Sequence, residues 1–218
     1  MTKFRKKNNK QHSVKILVSY TPNFQPLFDN LKSSLKNERT IILHEKRVDF
    51  EKKYDIFRFR SESWYKAIEY QYENAVKFID EEVKDGEYFI ISDVDVHFLQ
   101  PHKIIDLVND VLIGNYDIAG EHEGNKNLNS GFIIAKKNPK IVKIYNDVLS
   151  NLKKRKKELA DQTEINILIR ERECKIKYVD ENLIGMGGRK QLKKSMILFH
   201  FINTGDLQAK IRMMNRIK

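Results

Sequence analysis

Short continuous apolar runs alternate with amphipathic stretches along this chain, and that alternation restricts it to few folds. Val14-Lys15-Ile16-Leu17-Val18-Ser19-Tyr20 reads as a buried strand that Thr21-Pro22 ends. Leu27, Phe28, Leu31 and Leu35 follow at helical spacing, and Ile41-Ile42-Leu43 is a second short strand. A long helix is predicted from Ser61 to Lys84, with Trp64, Ile68, Tyr72, Val76 and Ile79 down one stripe. Gly86 stops it before Tyr88-Phe89-Ile90-Ile91, an apolar run of the type buried on both faces of a parallel sheet. The β-α-β-α-β order predicts an α/β fold, a mainly parallel central sheet flanked by helices.

The second half continues in the same style. A helix after Pro101 carries Ile104, Ile105, Leu107, Val108 and Val111. Tyr116–Ala119 and Gly131–Ala135 read as strands on either side of a polar loop, Gly120 to Ser130. Asn138-Pro139 is a helix start with proline suited to the first helical position. Asp161-Gln162-Thr163-Glu164 resembles a capping box before Ile165 and Leu168. Lys175–Val179 and Ser195–Phe199 complete the strands. There is no repeat or linker, so 1–12 is expected to be a flexible basic arm and 13–218 a single domain.

Charge narrows the partners without choosing one. Lys and Arg total 41 against 30 Asp and Glu, a formal +11, which suits polyanions from nucleic acid to nucleotide phosphates. Part of the excess, Lys153–Lys157, follows an amphipathic helix and is expected on a solvated last turn. No apolar run approaches the roughly 18 residues of a membrane span, and no secretory signal follows the basic start. The lone Cys174 excludes an intramolecular disulfide and a Cys-rich zinc site. A monomer in the cytoplasm is the expectation.

The chemistry-bearing segment is Ile90-Ile91-Ser92-Asp93-Val94-Asp95-Val96-His97. Two carboxylates, one residue apart, follow an apolar strand. On an extended backbone they point the same way, roughly 7 Å apart, with Val94 and Val96 directed into the core. The carboxyl end of a strand is where ligands bind in open α/β sheets. Two acids facing solvent there repel each other unless a cation sits between them, and oxygen ligands suit Mg²⁺ or Mn²⁺. His97 shares their parity and is one candidate for a further ligand. Arg60, Lys66 and Lys77 flank or ride on the preceding helix.

Tyr88 to Pro101, YFIISDVDVHFLQP, resembles the DxD segment of GT-A-type glycosyltransferases, the nucleotide-diphospho-sugar transferases. Three later segments are similar to that family, in its order. Leu128-Asn129-Ser130-Gly131-Phe132 resembles its Asn-Ser/Ala-Gly strand, Asp161-Gln162 its Asp-Gln helix start, and His200-Phe201-Ile202-Asn203-Thr204-Gly205 with Lys210 its C-terminal His segment. The likeness runs from about Val14 to Lys210.

The resemblance implies a single GT-A-like (Rossmann-like) domain. It implies a transferase that moves a hexosyl or deoxyhexosyl group from a nucleotide-diphosphate sugar, a UDP-sugar first, to a glycan or other hydroxyl acceptor. Asp93, Asp95 and His200 would hold the cation, His200 being preferred over His97. Tyr20, Thr21, Val94 and Lys210 would meet the nucleotide and diphosphate, with one of Arg60, Lys66 and Lys77. Asn129, Ser130 and Gly131 would lie at the donor sugar, Gly131 leaving room for it. Asp161 and Gln162 would act at the sugar or acceptor, Asp161 also capping its helix through the amides of Thr163 or Glu164. The rival reading, a basic nucleic-acid-binding protein or metal-dependent nuclease, requires base-stacking aromatics interleaved with Lys and Arg. Trp64 and its neighbouring tyrosines read instead as helix packing, so no specific nucleic acid is expected.

Overall fold

Strand alternation sorts the apolar side chains into two layers, one on each face of a six-stranded sheet. The computed structural model describes residues 10–49, 61–155, 161–187, 192–202 and 207–217. Sheet order is β2-β1-β3-β6-β5-β7, from β1 (Val14–Tyr20), β2 (Ile41–Arg47), β3 (Tyr88–Ser92), β5 (Ile118–His122), β6 (Leu128–Lys136) and β7 (Ile176–Val179). Ile16, Val18, Ile90, Phe132 and Ile134 face one side, where α1 (Gln25–Ser34) and α3 (Ile104–Ile113) deliver Phe28, Leu31, Leu107 and Val108. Leu17, Phe89, Ile91 and Ile133 face the other. There α2 (Glu62–Glu81), α4 (Pro139–Arg155) and α5 (Asp161–Glu171) supply Ile68, Phe78, Ile141, Tyr145 and Ile165. Both faces of the central strands are therefore dry, which explains the apolar runs Ile16–Val18 of β1 and Tyr88–Ile91 of β3.

Two caps behave as their sequences predict. Ser61 accepts from the Trp64 amide at 3.2 Å at the start of α2. Asn138 accepts from the Ile141 amide at 2.9 Å ahead of Pro139. Lys153, on the last turn of α4, pairs with Glu73 of α2 at 2.6 Å, and Lys154 is exposed. Lys156 and Lys157 lie outside the described residues, as do most of the 1–12 arm.

The strand that builds the site is β6, which runs antiparallel to both β3 and β5 while β1, β2 and β3 are parallel. Its first residues consequently lie at the carboxyl end of β3, where Asp93 N–H donates to Gly131 O at 2.7 Å. Residues 128–130, read from sequence as loop, are already strand. A second sheet orders β4 (Val96–Phe98), β9 (Leu198–His200) and β8 (Ile184–Met186) as β4-β9-β8. Its inner residues Val96, Phe98, Ile184 and Leu198 join the α1/α3 layer. The sequence reading lacked β4, β8 and α6 (Leu207–Asn215). The α6 residue Met214 packs with Leu27, Phe199 and Phe201 in a small third cluster.

Candidate active site

At the carboxyl ends of β1 and β3 lies a cleft of about 850 Å³, within the range of small-molecule sites. Its floor carries Asp93, Asp95 and His200, each offering one ligand atom within 4.8 Å of the others. β3 stops at Ser92, so the aspartates sit on a turn rather than on extended strand, and they do not share one environment. Asp93 remains partly exposed and accepts from Gln71 Nε2 of α2 at 3.0 Å. Asp95 is 7% exposed and pairs with Lys210 of α6. The expectation that both face solvent is therefore corrected for Asp95. Val94 also departs from expectation, lining the cleft, whereas Val96 is in the core.

His200, 1% exposed, arrives on β9, opposite Val96 of β4. Its Nε2 lies 3.3 Å from Asp95 Oδ1 and 3.7 Å from Asp93 Oδ2. Its Nδ1 lies 3.6 Å from Glu121 Oε2. Among the described residues neither ring nitrogen has a hydrogen-bond partner of good geometry. A buried imidazole with unbonded nitrogens beside two carboxylates is a donor set that fits a divalent cation of the Mg²⁺ or Mn²⁺ class. Gly131 belongs to the same knot: a Cβ there would lie 2.1 Å from His200 Cε1 and 2.8 Å from Asp93 Oδ2. The room that glycine leaves is taken by His200.

Without a cation the charges adjust to one another. Burial pushes the Asp93 carboxyl up, and the Asp95 charge adds to this. Burial would raise Asp95 too, but the His200 and Lys210 cations overcome it and hold its pKa below the usual range. Burial alone would lower His200; Asp95, helped by Glu121 and Asp93, instead holds it up at about 10.

The opposite wall is a hydrogen-bonded amide and carboxylate network. Glu123 Oε2 accepts from Asn129 Nδ2 at 2.9 Å and from Gln162 Nε2 at 2.6 Å. Gln162 Oε1 accepts from the Ser130 amide at 3.2 Å, and Asn129 Oδ1 from the Gly131 amide at 2.9 Å. Asp161 begins α5, where the Gln162 amide, the Ser130 hydroxyl and its own amide favour its charged form, rather than the amides of Thr163 or Glu164. Burial, then the Asp93 charge, raises its pKa to about 6 against those bonds.

Of the residues expected here, Tyr20, Thr21, Asp93, Val94, Asp95, Asn129, Ser130, Gly131, Asp161, Gln162, His200 and Lys210 all line the cleft. Lys66 and Lys77 do not: they are exposed on α2, whose cleft-facing side chains are Trp64, Ala67, Ile68 and Gln71. Arg60 lies outside the described residues, as do Asn203, Thr204 and Gly205. His97 is turned away, with Nδ1 2.6 Å from Asn30 Oδ1. The sequence reading missed Glu121, Glu123 and Gln71. Gln71 follows from α2 geometry, since it is one turn on from Ala67 and Ile68.

These elements define a nucleotide-diphospho-sugar transferase: the sequence matches that family over residues 33–214, and the chain belongs to it. The fold is that of GT-A glycosyltransferases. A glycosyltransferase involved in glycosylation of the major capsid of PBCV-1 superposes with a TM-score of 0.64 at 12% identity, covering 92% of this chain and 98% of that one. Galactosyltransferase LgtC, solved with donor and acceptor sugar analogs, gives 0.58 at 11% identity, covering 94% of each chain. The glycosyltransferase GlyE of Streptococcus pneumoniae TIGR4 gives 0.59 at 11% identity, over 94% of this chain. The chain spans only 62% of GlyE's length. No curated protein matches the sequence. Among the described residues no helix is long and apolar enough to cross a membrane.

Proposed function

We propose that this chain is a divalent-cation-dependent glycosyltransferase that moves a hexosyl or deoxyhexosyl group from a UDP-sugar to a hydroxyl of a glycan acceptor. The observation that carries this reading is the convergence of Asp93, Asp95 and His200, from two chain segments, across one cleft from Asn129, Ser130, Asp161 and Gln162.

Tyr20 and Thr21, at the end of β1, are the candidate nucleoside contacts. The Tyr20 ring is fixed by stacking on Phe28 at 4.2 Å, and the buried Thr21 hydroxyl has no hydrogen-bond partner among the described residues. Lys210, which lines the cleft, is the candidate partner of a diphosphate oxygen. Asp93, Asp95 and His200 would hold Mn²⁺ or Mg²⁺, whose Lewis acidity neutralises charge on the departing diphosphate. Asn129, Ser130 and Gln162 offer amide and hydroxyl groups that orient sugar hydroxyls. As the bond to the diphosphate breaks, positive charge develops at the anomeric carbon, and a new bond forms to the acceptor oxygen. The Asp161 carboxylate stabilises that charge or takes the acceptor's proton. The nucleoside diphosphate then leaves.

The test is turnover of UDP-, GDP- and TDP-sugars with and without Mn²⁺, read as nucleoside diphosphate release. Cation-dependent release from UDP-sugars is expected. Release that persists in chelator, or that never occurs with any nucleotide sugar, would contradict the proposal.

A further inference from the structure

Glu121 is a buried carboxylate that no part of the proposed chemistry uses. It is 3% exposed, it does not line the cleft, and its Oε2 has no hydrogen-bond partner among the described residues. Its position follows from β5. The residue two before it, Ala119, faces the α1/α3 layer, as does Val179, which pairs with Glu121 in parallel register. Alternation directs Glu121 to the same side, and the β5–β6 register shifts at this point, between Gly120 and His122. The side chain thus enters an apolar layer, where a carboxylate persists only against a partner.

The group it faces is His200. Glu121 Oε2 stands 3.6 Å from Nδ1, on the ring edge opposite the two aspartates. That is an ion-pair separation, and closing it to hydrogen-bond length needs a movement of about half an ångström. Gly131 packs against Cε1 and Nε2 of the same ring. A neutral imidazole has one donor and one acceptor nitrogen, and the partner of the first decides which way the second points.

We infer that Glu121 is a positioning residue of the cation site: its carboxylate keeps the proton on His200 Nδ1, so that the Nε2 lone pair is directed between Asp93 and Asp95. The inference rests on the cation-dependent reading above and deepens it. Glu121 acts through His200 and touches neither donor nor acceptor.

The experiment titrates Mn²⁺ into the full chain without donor, following free Mn²⁺ by electron paramagnetic resonance, for wild type, Glu121→Gln and Glu121→Asp. A partner of this kind is worth about 10–100-fold in metal affinity. The Gln variant should lose that much, and the Asp variant should recover part of it. Wild-type Mn²⁺ affinity in Glu121→Gln would overturn the inference and leave the cation site standing. A wild type that takes up no Mn²⁺ would end the cation reading itself, and this inference with it. Should Glu121→Gln fail to fold, the wild type still decides. Long-range ¹H–¹⁵N spectra of the Mg²⁺-saturated protein should show His200 as the Nδ1–H tautomer, and the Nε2–H tautomer would overturn the inference.

Discussion

Gly131 and His200 occupy one volume between them: a methyl group on Gly131 would overlap His200 Cε1 at 2.1 Å. The two residues are 69 positions apart in sequence, and β6 and β9 bring them together at the end of β3. Gly131→Ala should force His200 or the β6 backbone aside, a strain of about 1–3 kcal/mol in a packed interior. The expected outcome is a lower melting temperature together with weakened Mn²⁺ binding. A Gly131→Ala protein with unchanged Mn²⁺ affinity would show that the contact does not shape the site.

The aspartates should respond oppositely to neutralisation in the metal-free protein. Asp93 is held in a place that disfavours its charge, so its raised pKa makes ionisation a cost to folding at neutral pH. Asp93→Asn should stabilise the metal-free chain. Asp95, with its lowered pKa, contributes stability that is present above the ordinary carboxylate pKa and disappears as pH falls through the lowered one. Asp95→Asn leaves Lys210 and His200 facing a neutral group and should destabilise it. Both variants should lose Mn²⁺ binding. Thermal melts in chelator check the signs, and shifts of the same direction in both would contradict this account.

Asp161 gives a pH dependence. Its pKa of about 6 exceeds the ordinary 3.8, so the folded state holds the proton more tightly between those values. Metal-free stability should therefore decline as pH rises through that window, and Asp161→Asn should flatten the profile. Cation at Asp93 opposes the charge that helps to raise Asp161, so the loaded enzyme should ionise Asp161 at lower pH. If the carboxylate acts in transfer, Asp161→Asn should lower turnover by roughly a hundredfold or more, although Asn caps a helix comparably. Turnover near wild type would leave Asp161 a structural role only.

Most of the cleft was readable because its residues come in runs: Asp93 with Asp95, Asn129 to Gly131, Asp161 with Gln162. Each run sits where an apolar segment ends, and that is a sequence signal. Glu121 and Glu123 carry no such signal. Glu121 becomes buried only because β5 extends to His122 with a register shift, whereas its polar neighbours read as loop. β4 and β8 are three residues each, too short to show a period. Of the three basic residues expected near the ligand, Lys66 and Lys77 are kept from the cleft by rotation, and Arg60 lies outside the described residues. A helix turns about 100° per residue, and Trp64, Ala67, Ile68 and Gln71 present one face while the lysines ride on others. His97 shows the same lesson in a strand: parity with Asp93 and Asp95 requires an extended chain, and residues 94–95 turn.

The basic excess should not translate into tight nucleic-acid binding. Lys15, Lys153, Lys177 and Arg172 are each paired with Glu87, Glu73, Asp110 and Asp147 respectively. Binding to duplex DNA should be weak and should vanish at moderate salt, as expected of purely phosphate-directed contacts. A filter-binding titration across salt concentrations checks this, and salt-resistant, sequence-preferring binding would contradict it.

The central claim is that Asp93, Asp95 and His200 form a cation site that receives a nucleoside diphosphate. Calorimetric titration of UDP into the metal-free chain, with Mn²⁺ or with chelator, tests it most directly. Saturable UDP binding that requires Mn²⁺ in wild type and disappears in Asp95→Asn is the predicted result. Equal UDP affinity in Mn²⁺ and in chelator, or undiminished Mn²⁺-dependent binding in Asp95→Asn, would contradict it.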